Sequence, residues 1–154
     1  MNRSSYKSMI ALLVALFAIS GCRVELVSDY DAELSEHIQA TAKKVDLFYL
    51  TMKETSQNEN EDRTYNEFAW AYAEVEAELN SLLQKNKIKP LNEHSTRICE
   101  IALTFWQDYK NEHKEYDEIS DREIDLNRLY MQDIFYAMQV AEEGKKLASE
   151  NTEE

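Results

Sequence analysis

Apolar or small residues return at alternating steps of four and three through most of the chain, the spacing of helices that each bury one face. The first run is Leu34, Ile38, Thr41, Val45, Phe48 and Met52, and the second is Tyr65, Phe68, Tyr72, Val75, Leu79 and Leu82. A third runs Leu91, Ser95, Ile98, Ala102, Phe105, Tyr109 and, past Glu112, Tyr116; the fourth carries Ile124, Asn127, Met131, Ile134, Met138 and Ala141. Such spacing keeps the side chains on one slowly drifting face, as left-handed helix packing requires. The breaks between runs are punctuated accordingly. Ser56 to Asn60 is a polar connector, and Thr64 with Glu67 has capping-box spacing. Pro90 disfavours helix at Lys89, and Ser120 with Glu123 is a second capping box that places a turn near Ile119. Short links make neighbouring helices antiparallel. The expected fold is all-α, an up-down four-helix bundle over residues 30–148, or three long helices if the last two runs continue as one.

The runs leave apolar residues over. Trp70 stands nearly opposite the stripe of its own helix, with Asn66, Ala73 and Ala77 beside it. In the third helix Cys99, Leu103 and Trp106 form a line displaced from the main stripe, and the first helix adds Leu47 and Leu50. The fourth is the most two-faced: Leu126, Tyr130, Asp133, Ala137, Val140, Gly144 and Leu147 make an independent heptad-like line. These second lines either pack against each other in a wide core or form an exposed apolar patch, which on a soluble domain marks a partner site or a self-association face. The candidate partner surface is therefore Trp70, Ala73, Ala77, Leu103, Trp106, Leu126 and Val140. Asp133 in the second line of the fourth helix and Asn127 in its main stripe are polar residues of the kind that fix helix register.

Ahead of the first helix, Met9 to Ile19 is an apolar run too short for a bilayer, which needs about 20 residues. Arg3 and Lys7 precede it, and Ile19-Ser20-Gly21-Cys22 closes it. This layout resembles the signal peptide and lipobox of a bacterial lipoprotein precursor. The resemblance implies cleavage after Gly21, so that 1–21 is a removed leader, and acylation of Cys22, whose two or more chains suffice for stable anchoring. It also implies, through Arg23 in place of an aspartate, an outer-membrane location facing the periplasm. The Ser28-Asp29-Tyr30-Asp31 entry adds a likeness to uncharacterised small helical lipoproteins, which brings no activity with it. Residues 22–29 are expected to be the lipidated cysteine and a tether, and 149–154 an acidic tail.

Composition narrows the partners. The net charge is −13, and loss of the leader removes two cations and no acid. That sign argues against nucleic acid, whose binders carry basic patches, and against adhesion to anionic headgroups. A charged protein partner is expected to be basic. With Cys22 acylated, Cys99 is the only remaining thiol and is read as a small buried apolar residue. Only Gly144 and Pro90 remain of their kinds beyond the leader, too few for tight-turned sheets or phosphate-cradling loops.

The sequence carries no recognisable catalytic or metal-binding motif. Ferritin-like metal sites use Glu-x-x-His on facing helices, whereas Leu34, Leu91 and Lys110 precede His37, His94 and His113 at that spacing. Each histidine is read as a surface or boundary residue. Glu74 with Glu78, and Asp117 with Asp121 if the helix continues there, share helical faces but are read as solvated acids among 30 in the chain. No catalytic residues, metal ligands or cofactor are assigned. The expected function is a non-catalytic interaction or scaffold module held at the membrane through Cys22. The rival is a small-molecule or cation binder with Tyr49, Tyr72, Phe105 and Tyr109 lining a cavity.

Overall fold

The structure, a computed structural model, describes residues 27–55 and 63–150, with side chains to Ala148. The leader, Cys22, the Ser56–Asn60 connector and the end of the tail lie outside the described residues. Four helices follow one another: α1 (Ala32–Thr55), α2 (Tyr65–Lys87), α3 (Glu93–Tyr116) and α4 (Asp121–Glu150). No strand occurs among the described residues. Among the described residues each helix packs its backbone on two neighbours in a ring, α1 on α2 and α4, α3 on α2 and α4, and only side chains meet across the α1–α3 diagonal. Ion pairs fix the directions. Lys44 of α1 meets Glu74 and Glu78 of α2, Lys85 near the end of α2 meets Glu33 at the start of α1, and Lys53 near the end of α1 meets Asp125 at the start of α4. The helices are antiparallel to their neighbours, and the four-helix bundle replaces the three-helix alternative.

Local chemistry sets the ends. Pro90 follows α2 closely, and Lys87 is the last helical residue before it. The Ser120–Glu123 capping box is formed: Ser120 N donates to Glu123 Oε2 at 2.8 Å and Glu123 N to Ser120 Oγ at 3.3 Å. Thr64 sits at the N-cap of α2 without using its hydroxyl. Asp117, the residue that ends α3 in the left-handed region, accepts the Tyr65 N–H at 2.8 Å instead. One carboxylate thus joins the end of α3 to the start of α2. Asp117 and Asp121 are not a pair on one face, since Asp121 belongs to α4 and binds Arg63.

An aromatic knot fills the distal half of the core. Phe48, Tyr49, Tyr72 and Trp106 meet edge-on or tilted, with centroids 4.6 to 5.9 Å apart, and Trp106 Nε1 donates to Tyr72 O at 3.1 Å. Such pairs contribute about 0.5–1.5 kcal/mol each beyond their buried area. Met52, Val75, Leu79, Leu82, Ile124, Met131, Phe135 and Met138 are among the other residues of the core.

The stripes of α1 and α2 are the faces that bury. That of α3 is rotated. Its buried residues are Ser95, Cys99, Ala102, Trp106 and His113, a second four-three ladder that shares Ser95 and Ala102 with the expected one. The indole of Trp106 is the largest side chain on the helix and turns its own ladder inward. Leu91, expected to open the stripe, precedes the helix at φ 54° and is exposed.

Candidate interaction surface

Burial divides the expected partner residues. Trp106 is 0 % exposed, at the centre of the aromatic knot, and Leu103 is partly buried against the core, so the α3 part of the expected surface is withdrawn. Trp70 is 80 % exposed, with Ala73 and Ala77 exposed beside it on the outer face of α2. Leu126 and Val140 are exposed on α4.

They do not stand alone there. Leu126, Leu129, Tyr130, Tyr136, Val140 and Leu147 are 39–73 % exposed, and Ala137 and Gly144 lie open between them. Their spacing makes one band along the outside of α4. α3 extends the band with Phe105, Tyr109 and Tyr116: the Phe105 and Tyr109 rings stack at 5.8 Å, and Phe105 and Tyr116 are exposed. Tyr130 lies close enough to Tyr109 to help raise its pKa, after burial, and Asp108 and Glu112 act in the same sense. The face is thus largely apolar and tyrosine-rich, with Asp133 exposed within it and Asp108 and Glu112 near Tyr109. Contiguous exposed apolar faces of this kind mark partner sites on soluble domains.

On the α1 side, bordering the band at Tyr136, lies a groove of about 430 Å³ between α1 and α4, lined also by Ile38, Ala42, Val45 and Phe135. Arg128 spans it to Asp46 at 2.7 Å, and the guanidinium lowers the Asp46 pKa. The tyrosines expected to line a cavity lie elsewhere. Tyr49 and Tyr72 are core residues, where burial raises both phenols, and Phe105 and Tyr109 are on the α3 surface.

Where the chain enters the bundle, a buried polar network takes the place of apolar core. Glu142 and Lys145 of α4 pair at 2.5 Å, both buried. Lys145 Nζ donates to Asn92 Oδ1 at 2.7 Å, which also accepts from Ser28 Oγ at 3.0 Å. Asn92 Nδ2 donates to Asn86 Oδ1 at 2.8 Å, and Asp31 N donates to Glu142 Oε1 at 2.8 Å. Ser28 N reaches Leu91 O at 3.2 Å. The bundle thus holds the chain from Ser28, slightly before the start expected at residue 30. Periodicity carried a signal for this network, since Met131, Phe135, Met138, Glu142 and Lys145 continue one four-three ladder; charge at its last two positions hid it.

Two expectations about single residues divide. Cys99 is buried, accepts an N–H from Asn86 at 3.3 Å, and has its thiol pushed up to about 12 by burial. His113 is not a boundary residue: it is buried with Nδ1 3.1 Å from the Tyr72 hydroxyl and Nε2 2.9 Å from Arg63 O. Nε2–H donating to the carbonyl and Nδ1 accepting from the phenol satisfies a neutral ring. Glu74 and Glu78 are tied by Lys44, and Glu78 also by His37 at 3.0 Å.

Among the described residues no group of histidine, cysteine, aspartate and glutamate side chains is arranged to hold a metal ion, and no helix is long and apolar enough to cross a membrane. Comparison with protein-family models, with curated proteins and with solved structures gave no match.

Proposed function

We propose that this chain is a bacterial lipoprotein, anchored through Cys22 to the outer membrane, whose bundle holds a protein partner on the outer face of α4 and α3 without doing chemistry on it. The apolar band from Leu126 to Leu147 carries this reading. A helix on the outside of a bundle needs one buried face, and α4 already has it in Ile124, Met131, Phe135 and Met138. A second apolar face is costly to leave in water and is used when something covers it. Asp108, Glu112 and Asp133 along the band suit a partner with apolar anchors and a basic rim. Trp70, isolated among Asn66, Ala73 and Ala77, is a lesser contact.

Two measurements test the parts separately. Metabolic labelling with palmitate should mark the wild-type chain and not Cys22→Ala, which should leave the membrane fraction; a label that persists in Cys22→Ala contradicts the anchor. Chemical crosslinking in the native envelope should give one adduct of defined mass, lost in Leu126→Asp and Val140→Asp and kept in Trp70→Ala. Equal adduct from all three variants would exclude the α4 face.

A further inference from the structure

At the end where the chain enters, three apolar side chains are open to solvent: Ile88 is 81 % exposed, and Leu91 and Val27 are exposed too, with Ser28 N bonded to Leu91 O. Ile88, Lys89, Pro90 and Leu91 form the turn between α2 and α3, and Leu91 takes a φ of 54°. That conformation ordinarily belongs to glycine or asparagine, and a leucine held there by its surroundings points to a use for its side chain.

We infer that this end of the bundle rests on the lipid bilayer, with Ile88 and Leu91 in the headgroup region. The inference rests on the anchor proposed at Cys22. Three observations single out lipid as the occupant. The chain leaves the described structure at Val27, on this end, and five residue steps from Cys22 to Val27 reach at most about 18 Å. An acylated Cys22 therefore keeps this end, and not the distal one some 35 Å of helix away, at the membrane. The hold on the chain is firm, because Ser28 and Asp31 are bonded into the Asn92, Lys145 and Glu142 network. The local charge also permits approach. Across a strongly acidic chain, this end sets Lys85 against Glu33, Lys87 against Glu100 and Lys89 against Asp31, so the lysines offset the nearby acids facing an anionic leaflet. Net composition argues against headgroup contact; these one-to-one pairs offset the acids locally, and the apolar Ile88 and Leu91 supply the attraction.

The full-length acylated protein, reconstituted in phosphatidylethanolamine–phosphatidylglycerol vesicles, tests this. A single cysteine replaces Ile88 or, at the distal turn, Glu118, and carries an environment-sensitive fluorophore; Cys99 is buried with a raised thiol pKa and stays unlabelled. Ile88→Cys should give blue-shifted emission quenched by nitroxide-headgroup lipid, and Glu118→Cys neither. Identical, water-like emission at both sites, with Cys22 shown by mass to be acylated, overturns the inference. Blue-shifted emission at 88 without lipid quenching overturns it too, since a protein then covers the turn. A Cys22 without acyl chains removes the anchor and this inference with it, and the mass tells that failure from the first.

Discussion

Two tryptophans show how far burial outweighs residue type. Trp106 packs on Phe48, Tyr49 and Tyr72 and donates to Tyr72 O, so Trp106→Ala should cost about 3–5 kcal/mol in urea unfolding. Trp70→Ala, on the open face of α2, should stay within about 0.5 kcal/mol of wild type. Both were legible as apolar residues off the expected stripes. Which one is inside was not, because two four-three ladders on α3 differ by a single residue step and only the fit of the indole against α1 and α2 chooses between them. The network at the entry was hidden for a related reason: a glutamate and a lysine at core positions look like surface until Asn92 and the Asp31 N–H are seen to satisfy them. Removing one partner, as in Lys145→Met, leaves a buried carboxylate and should cost about 3–5 kcal/mol, whereas Glu142→Leu with Lys145→Met should recover a good part of that in a double-mutant cycle. Leu91→Gly should be the opposite kind of change, neutral or stabilising by up to about 1 kcal/mol despite losing a whole side chain, since it relieves the left-handed φ.

At the level of the helices, termini and outer faces separate what was readable from what was not. The Ser120–Glu123 box was readable because both partners lie within one turn, and it formed; Ser120→Ala should cost about 1 kcal/mol. Thr64 and Glu67 have the same spacing, but Asp117 from the end of α3 takes the first N–H of α2. Thr64→Ala should therefore leave the thermal midpoint almost unmoved, while Asp117→Ala should lower it. No local pattern could reveal a cap supplied by a residue 52 positions away. The outer face of α4 was readable as a second line, and its exposure decides between the two uses left open for it: that line does not pack inside. Only the α3 line of Cys99, Leu103 and Trp106 went inward.

For the molecule as a whole, charge and orientation belong together. Asp31, Asp46, Glu76, Glu78 and Glu123 all have lowered pKa values, chiefly through hydrogen bonds to Leu34 N, Arg128, Lys110, Lys44 and Ser120 respectively. Their stabilisation is complete above the ordinary values of 3.8 and 4.5 and is lost as pH falls through the lowered ones. Cys99, Tyr49 and Tyr72 are raised by burial, so ionisation opposes folding once pH climbs past the ordinary 9.0 and 10.0. The thermal midpoint should be level between about pH 5 and 9 and fall on both sides; a steady decline from pH 7 to 5 would show that other groups govern stability. In that neutral range the bundle is an acidic body with one long exposed apolar face along α4, the face on which the proposed function places a partner.

The face on α4 is the centre of that account, and a photocrosslinking scan in the native envelope tests it most directly. With a photoreactive side chain placed singly at Leu126, Tyr130, Ala137 and Val140, and at Asn66, Ala73 and Ser81 on α2, the four α4 positions should trap one partner of the same mass and the α2 positions should not. Adducts of the same mixed kind and yield from every position would contradict it.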